Sequence, residues 1–222
     1  MHSSIEKLNT VKNKVNEIIN KKQLKIEPKI IVVTKTFSVN NIKPLLDNDH
    51  IHYGENKVQE AEAKWSDIRK SYKGIKLHMV GKLQTNKVKK AVALFDYIHS
   101  LDNDKLAQKI FQQEKELNKK IKLFIQVNMG EESQKSGVIL NELRRFYDHC
   151  IKELSLNIIG LMCIPPASSN SDDYFKLLKE KADELNLKEL SMGMSSDFEQ
   201  AISNSATYLR LGTIILGERK ST

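Results

Sequence analysis

Short apolar runs alternate with amphipathic stretches along the whole chain, and this alternation limits the fold more than any other feature. Eight runs have the length and composition of buried strands, at 29–34, 50–53, 76–81, 96–100, 122–128, 157–163, 188–192 and 207–212. Apolar residues at helical spacing lie between them, most clearly at 56–70, 103–118, 139–153, 171–185 and 196–204, and more weakly at about 38–47 and 84–94. Because parallel strands need a crossover, usually a helix, the repeated units predict an α/β fold with a parallel sheet.

About eight such units in 222 residues predict a compact (β/α)₈ TIM barrel rather than an open sheet. Apolar residues at helical spacing within 5–18 predict an extra helix before the first strand. No linker rich in glycine, proline or serine divides the chain, and the loop Pro165–Ser171 is too short and too central to separate two domains. We therefore expect residues 1–222 to form one domain.

Composition excludes several classes of protein. With 40% hydrophobic and 29% charged residues, the chain has enough apolar side chains for a sizeable core. No stretch of about 18 apolar residues exists, which excludes a transmembrane helix. The first residues lack the apolar centre of a signal peptide, and Cys150 and Cys163 form no C-x-x-C pair. This pattern predicts two reduced thiols and a cytoplasmic location.

The net charge of +8 raises the question of an anionic partner. The basic residues are spread over most segments, and lysines generally alternate with glutamates on the predicted helix faces. No basic patch interleaved with aromatic residues is present, and no nucleic-acid motif. We therefore predict a solvated lysine-rich surface, with neither nucleic acid nor membrane as a partner.

One lysine follows the most apolar of the predicted strands. Lys35 comes directly after residues 30–34, at the carboxyl end of a strand, where α/β barrels bind their ligands. Burial lowers the pKa of an amine, and a neutral amine attacks carbonyl groups to form a Schiff base. Lys35 is therefore a candidate for covalent attachment of a carbonyl ligand. The alternative is a lysine that ends its strand in water.

The ends of the last two predicted strands favour a phosphate site. Gly193, Ser195 and Ser196 lead into a helix, with Ser196 and Glu199 spaced as a capping box. A glycine-bearing turn at a helix N-terminus presents free backbone N–H groups to an anion. The pair Gly212-Thr213 follows strand eight, and barrel phosphate sites commonly use the loops after strands seven and eight. Ordinary helix capping is the alternative.

Arg210 and Asn56 also lie near strand ends. The alternation of residues 209–211 turns Arg210 toward the barrel mouth, where an arginine can hydrogen-bond an aromatic ring nitrogen and keep its own charge. The alternative for Arg210 is an exposed edge. Asn56, with Gln59 three residues on, predicts an N-cap for the helix over 56–70. That cap lies at the barrel mouth, so Asn56 can also contact a ligand.

Three histidines near strand ends, His52, His78 and His99, raise the question of a metal site. Their separations in the sequence give no H-x-x-x-H pair. We interpret them as packing residues or as support for other site residues, and we predict no metal.

In these motifs and others, the chain closely resembles the pyridoxal phosphate homeostasis proteins, also called the YggS or PROSC family. The resemblance covers essentially the whole chain and rests on motifs in a fixed order. These are VVTKT at 32–36, HYGENKVQE at 52–60, HMVGKLQTNK at 78–87, QVN at 126–128 with KSG at 135–137, GLM at 160–162, LSMGMS at 190–195 and RLGT at 210–213.

The resemblance implies a single barrel of the alanine-racemase type that binds pyridoxal 5′-phosphate (PLP). Lys35 matches the family's Schiff-base lysine, and Arg210 matches the arginine that faces the pyridine ring. Ser195, Gly212 and Thr213 match phosphate-binding positions. The departures, at Lys82, Thr85 and 130–134, concern details of loops. With Asn56 and Ser196, which the strand ends indicate, these residues make up the predicted cofactor site, and none is expected to be catalytic.

Two functions compete for such a barrel. One is a PLP carrier without substantial turnover, which buffers the cofactor or delivers it to PLP-dependent apo-enzymes. The other is an amino-acid racemase of the alanine-racemase barrel type, which needs a second, mostly β domain that supplies a tyrosine. Because the chain ends at Thr222, shortly after the last predicted strand, we expect no such domain and favour a monomeric carrier that is not an enzyme. A nucleic-acid-binding module has only the net charge in its favour.

Overall fold

Eight parallel strands form a closed barrel in the computed structural model, which describes residues 3–130, 136–166 and 170–218. A ninth, two-residue strand pairs with the fifth at the edge of the sheet. The strands are β1 (Lys29–Val33), β2 (His52–Glu55), β3 (Lys76–Met79), β4 (Tyr97–Leu101), β5 (Lys122–Asn128), β6 (Val138–Ile139), β7 (Ile158–Met162), β8 (Glu189–Ser191) and β9 (Tyr208–Leu211).

The barrel strands follow the order of the chain around the ring. Each pairs in parallel with the next, β5 pairs with β7, and the ring closes where β9 pairs with β1. In that last pair Arg210 lies opposite Ile31, so the final strand is in register with the strand that precedes Lys35. The predicted TIM barrel is confirmed, and each predicted apolar run overlaps a barrel strand, although β2 ends two residues and β4 one residue beyond the predicted run. β6 was not predicted, because two residues are too few to produce a periodic pattern.

Helices surround the barrel in the intervals that the sequence predicts, and a short helix after β9 was not predicted. They are α1 (Ser3–Lys22), α2 (Val39–Leu46), α3 (Val58–Ser71), α4 (Val88–Leu94), α5 (Asp104–Glu116), α6 (Leu143–Asp148), α7 (Ser171–Glu184), α8 (Phe198–Ser203) and α9 (Thr213–Leu216). The interval 139–153, predicted as one helix, contains a 3₁₀ turn at Leu140–Glu142, then α6, then a π-helix at His149–Glu153. α1 is the predicted extra helix, and its buried face packs against α8 and α9.

Side chains inside the barrel are aromatic and polar as well as aliphatic. His78 stacks on Tyr97 with ring centroids 4.2 Å apart, and His99 stacks on Phe124 at 4.3 Å. Both histidines are fully buried. The larger apolar core lies outside this interior cluster and joins the strands to the helices. The barrel interior therefore has hydrogen-bonding groups at its centre.

Two further observations bear on the expectations from composition. Among the residues that the structure describes, no helix is both long and apolar enough to span a membrane. Cys150 and Cys163 are free and buried. Burial raises the pKa of each thiol to about 12, so both stay protonated near neutral pH.

Candidate cofactor-binding site

A cavity of about 350 Å³ opens at the carboxyl ends of the barrel strands. Its lining contains every residue that the sequence predicts for the cofactor site. These are Lys35, Asn56, Ser195, Ser196, Arg210, Gly212 and Thr213, which line the cavity together with the apolar Val33, Val80, Ile164 and Met194. The parallel barrel explains this convergence, because the carboxyl ends of all its strands meet at one face.

Lys35 lies in a turn that is held by hydrogen bonds from neighbouring elements. Lys64 Nζ, on α3, donates to the carbonyl oxygen of Thr34 at 2.7 Å. The backbone N–H of Thr36 donates to Glu60 Oε1. Thr36 has φ of 68°, in the left-handed region, so the chain turns sharply directly after Lys35. These contacts fix the backbone on both sides of the half-buried lysine.

Glu55, at the end of β2, is the centre of this support. Its Oε1 accepts hydrogen bonds from Thr34 Oγ1 at 2.7 Å, Lys64 Nζ at 2.9 Å and Trp65 Nε1 at 2.9 Å. The Glu55 side chain is fully buried and that of Lys64 is 8% exposed. We call Thr34, Glu55, Glu60, Lys64 and Trp65 the Glu55 cluster. A buried ion pair needs further hydrogen bonds to offset the loss of hydration. Here Thr34 and Trp65 supply them to Oε1 of Glu55, while its Oε2 is buried without a hydrogen-bond partner among the described residues.

Arg210 points into the barrel mouth rather than to the surface. It is 5% exposed, so the alternative of an exposed edge is wrong. Its Nη1 donates to Ser191 Oγ at 2.8 Å, and its Nη2 donates to the carbonyl oxygen of Cys163 at 2.9 Å. Burial lowers the pKa of the guanidinium, but an arginine in a protein keeps its proton. The cavity therefore holds a fixed positive charge on its floor.

The loops after β8 and β9 meet at the hydroxyl of Ser195. The backbone N–H groups of Gly212 and Ile214 both point at Ser195 Oγ, at 3.4 Å each. Gly193 has φ of +88°, and a Cβ there would lie 2.6 Å from the Cβ of Ala201, so this turn requires glycine. The backbone donors of one loop and a hydroxyl of the other thus share one corner of the cavity.

The predicted capping box of Ser196 and Glu199 is wrong. α8 begins one residue later, with Asp197 as its N-cap. The Asp197 carboxylate accepts a hydrogen bond from the backbone N–H of Met194 at 2.6 Å, which closes the turn that carries Ser195. Ser196 is exposed and lines the cavity instead.

The predicted N-cap at Asn56 is also wrong. α3 begins at Val58, its N-cap is Lys57, and no side-chain bond caps it. Asn56 lies one residue before the cap and lines the cavity. It packs directly on the backbone of Gly81, where a Cβ would lie 2.5 Å from the Asn56 carbonyl oxygen. Residue 81 must therefore be glycine for Asn56 to lie at this place.

Several residues that support the site were missed from the sequence. Ser191 and Lys64 had no predicted role, although they bond Arg210 and the turn before Lys35. For Lys64, the one available signal was its i, i+4 spacing from Glu60 on a helix. No local pattern marks Ser191, because its partners come from other strands.

Comparison with known proteins identifies the family. Residues 7–220 match the model of the alanine racemase N-terminal domain. The pyridoxal phosphate homeostasis protein of Aquifex aeolicus is 40% identical over 177 residues, which are 76% of this chain and 77% of the relative. The chain belongs to the pyridoxal phosphate homeostasis protein family. The family member from Synechocystis is 36% identical over 200 residues, covering 86% of this chain and 91% of its own. The resemblance stated from the sequence motifs is confirmed.

Solved structures agree with this family assignment. PipY of Synechococcus elongatus, in a structure with PLP bound, is 32% identical, covers 91% of this chain and all of its own, and superposes with a TM-score of 0.80. An alanine racemase from Clostridium difficile is 16% identical with a TM-score of 0.66. This chain matches 57% of the length of that racemase chain, and the likeness shows a shared barrel fold.

Proposed function

We propose that the protein binds PLP in the cavity at the barrel mouth and takes part in PLP homeostasis by buffering or delivering the cofactor. The observation that carries this proposal is the convergence of Lys35, Arg210 and the Ser195–Gly212 corner on one cavity. The relatives named for PLP homeostasis and the PLP-bound structure of PipY support it.

The residues of the cavity fit the chemical groups of PLP. An amine, Lys35, lines the cavity and suits the aldehyde, with which it forms a Schiff base. The N–H groups that meet at Ser195, with the hydroxyls of Ser196 and Thr213, suit the phosphate. A volume of about 350 Å³ lies at the lower end of the usual range for small-ligand pockets. Asn56 also lines the cavity.

Arg210 favours carriage over catalysis. Bound PLP supplies an electron sink, whose strength depends on the protonation of the ring nitrogen. A guanidinium that faces this nitrogen donates a hydrogen bond without giving up its proton, so the nitrogen stays unprotonated. Arg210 is held by two hydrogen bonds and keeps its charge. We therefore propose that the protein is a PLP carrier and not an enzyme.

The remaining proposals concern the setting of this function. We infer that residues 1–222 act as one PLP-binding domain, since the family model matches 7–220. We infer a cytoplasmic, monomeric protein whose partners are PLP and PLP-dependent apo-enzymes. The names of the relatives support PLP as a partner, and the two free, buried thiols support the cytoplasm.

Borohydride reduction tests the attachment of PLP. We expect the purified protein incubated with PLP to become yellow, and reduction followed by peptide mapping to place the pyridoxyl group on Lys35. Lys35→Ala should lose the visible absorbance. Lys82→Ala is the matched control, because Lys82 lines an adjoining cavity of about 330 Å³ and should retain the absorbance. Recovery of the label on any other lysine in the wild-type protein would refute the assignment.

A further inference from the structure

The interior of the barrel contains three imidazoles joined in series. His52 Nδ1 lies 3.0 Å from His78 Nε2, and His78 Nδ1 lies 3.0 Å from His99 Nε2. His99 Nδ1 lies 2.7 Å from Ser191 Oγ. We call His52, His78, His99 and Ser191 the histidine chain. Its members come from β2, β3, β4 and β8, so it crosses the barrel interior from strand to strand.

The histidine chain joins two cavities at opposite ends of the barrel. His52, at the start of β2, lines a cavity of about 860 Å³ at the amino ends of the strands. At the other end, Ser191 Oγ accepts a hydrogen bond from Arg210 Nη1, and Arg210 lines the candidate cofactor cavity. One series of hydrogen bonds therefore runs from the cavity at the amino ends of the strands to the guanidinium of Arg210.

Arg210 sets the direction of these hydrogen bonds. A guanidinium donates and never accepts, so the oxygen of Ser191 must accept from it. Ser191 is fully buried, and its hydroxyl has His99 Nδ1 as the other partner among the described residues. The hydroxyl proton therefore goes to His99 Nδ1, because a buried hydroxyl without an acceptor loses its hydration and gains nothing in return. His99 then carries its proton on Nε2 and donates to His78, which donates in the same way to His52.

Burial keeps these rings neutral, as the direction requires. Burial lowers the pKa of His78 and His99 well below the ordinary value, and the charge of Arg210 adds to the effect at His99. The pKa of His52 falls to about 4, first through burial and then through Lys29 and Lys76. Stacking on Tyr97 and Phe124 fixes the planes of His78 and His99. Each ring thus offers one donor and one acceptor in a fixed orientation.

We propose that Ser191 and the three histidines are positioning residues that hold the Arg210 guanidinium in place through a hydrogen-bonded chain of a single direction. The effect on the cofactor rests on the proposed function, in which Arg210 faces the PLP ring. Without the chain, Arg210 keeps Cys163 as its bonded partner among the described contacts and is free to rotate about that bond.

The first test needs no cofactor. Long-range ¹H–¹⁵N NMR spectra of the apo-protein at pH 7 distinguish a proton on Nε2 from one on Nδ1 in each imidazole. We expect His52, His78 and His99 to be neutral and protonated on Nε2. Ser191→Ala should remove the donor at His99 Nδ1 and shift its ring nitrogen signals. An Nδ1 proton on any of the three rings of the wild-type protein, or unchanged His99 signals in Ser191→Ala, would overturn the proposal.

The second test measures the effect on the site. Ser191→Ala should weaken PLP binding by about tenfold or more, the loss expected for one hydrogen bond to a charged group. Ser100→Ala is the matched control, because Ser100 is buried next to His99 and its hydroxyl has no hydrogen-bond partner among the described residues. It should leave PLP binding unchanged. Equal PLP affinity in Ser191→Ala and Ser100→Ala would overturn the positioning role.

A third variant tests the direction and guards against misfolding. His78→Phe keeps a ring against Tyr97 but removes the link between His99 and His52. We expect His99 to keep its proton on Nε2, because Ser191 and Arg210 still fix it, and His52 to lose its Nε2 preference. A change of tautomer at His99 would overturn the proposed direction. Failure of the wild-type protein to bind PLP would refute the proposed function. The spectra of the apo-protein would still test the direction of the hydrogen bonds in the histidine chain.

Discussion

Gly212 lies at a position where glycine matters for ligand binding and not for the stability of the fold. Its φ is −117°, outside the left-handed region, and a Cβ would meet the Val33 carbonyl oxygen at an ordinary 3.5 Å. Among the residues that the structure describes, no contact therefore requires glycine here. Its N–H instead points at the Ser195 hydroxyl on the wall of the cavity. The absence of a side chain matters for what enters the cavity.

Substitutions at Gly212 separate binding from folding. We expect Gly212→Ala to keep nearly the wild-type free energy of unfolding, whereas Gly81→Ala should lower it because its Cβ meets the Asn56 backbone at 2.5 Å. Gly212→Val should weaken PLP binding by more than Ser195→Ala, which loses one bond to a charged group worth about 1.5–3 kcal/mol. Titration of PLP and denaturant unfolding measure the two effects. PLP affinity equal to wild type in Gly212→Val would count decisively against a phosphate site at Ser195 and Gly212.

At the scale of elements, the Glu55 cluster joins the turn after β1, the end of β2 and the first half of α3. Each strand end by itself is a loop of ordinary composition. The buried carboxylate of Glu55 connects them, because it accepts hydrogen bonds from both neighbouring elements at once. These bonds tie the loop that carries Lys35 to both neighbouring elements.

Lys64→Met tests this support. Removing one partner of a buried ion pair leaves the other uncompensated, so we expect the free energy of unfolding to fall by about 3–5 kcal/mol and PLP binding to weaken. Lys90→Met is the matched control on α4. Lys90 and Glu62 are 56% and 44% exposed, and their ion pair should contribute less than about 1 kcal/mol. Similar losses of stability in the two variants would contradict the role of the Glu55 cluster.

The elements also show how far the sequence predicts this molecule. Each barrel strand and its crossover helix has a local pattern, so the strand ends, and with them Lys35 and Gly212, could be placed in advance. The N-caps at Lys57 and Asp197 were each missed by one residue, since capping motifs describe a preference that the turn geometry overrides. Contacts such as Arg210 to Ser191 join distant strands, and no periodicity in one segment reports them.

At the scale of the whole molecule, buried histidines link stability to pH. Burial lowers the pKa of His50 and of His52 from 6.5 to about 4, while the unfolded chain keeps the ordinary value. Between these pH values the unfolded state binds more protons, so stability is complete above pH 6.5 and is lost as the pH falls toward 4. Each such histidine contributes up to about 1.4 kcal/mol per pH unit in that window.

Denaturant unfolding at several values between pH 7 and 5 measures this loss. We expect the free energy of unfolding to fall steadily as the pH falls, and the slope to be smaller in His50→Gln, which removes one of the titrating groups. Few carboxylates titrate in this window, so their contribution to the slope is small. A stability independent of pH from 7 to 5, or an unchanged slope in His50→Gln, would contradict neutral burial of these rings.

The proposed carrier function also makes a prediction for the whole molecule. With Arg210 in its proposed place beside the ring nitrogen, we expect little or no racemase or transaminase turnover from the PLP-loaded protein, and slow transfer of PLP to apo-enzymes instead. Steady-state assays with both enantiomers of alanine, serine and glutamate measure turnover. Rates near a typical enzyme's value of about 10 per second would restore the racemase alternative.

The pairing of β1 with β9 has a consequence for the order of events during synthesis of the protein. β1 is synthesised before the other barrel strands, yet one of its two neighbours in the barrel is β9, which follows all the other described strands in the chain. α1 likewise cannot pack until α8 and α9, which it contacts, have been synthesised. Lys35 is thus translated long before Arg210, Gly212 and Thr213 exist to complete its cavity. The proposed PLP site cannot be complete until β9 and residues 212–213 have been synthesised, so closure of the barrel and completion of the site become nearly simultaneous events.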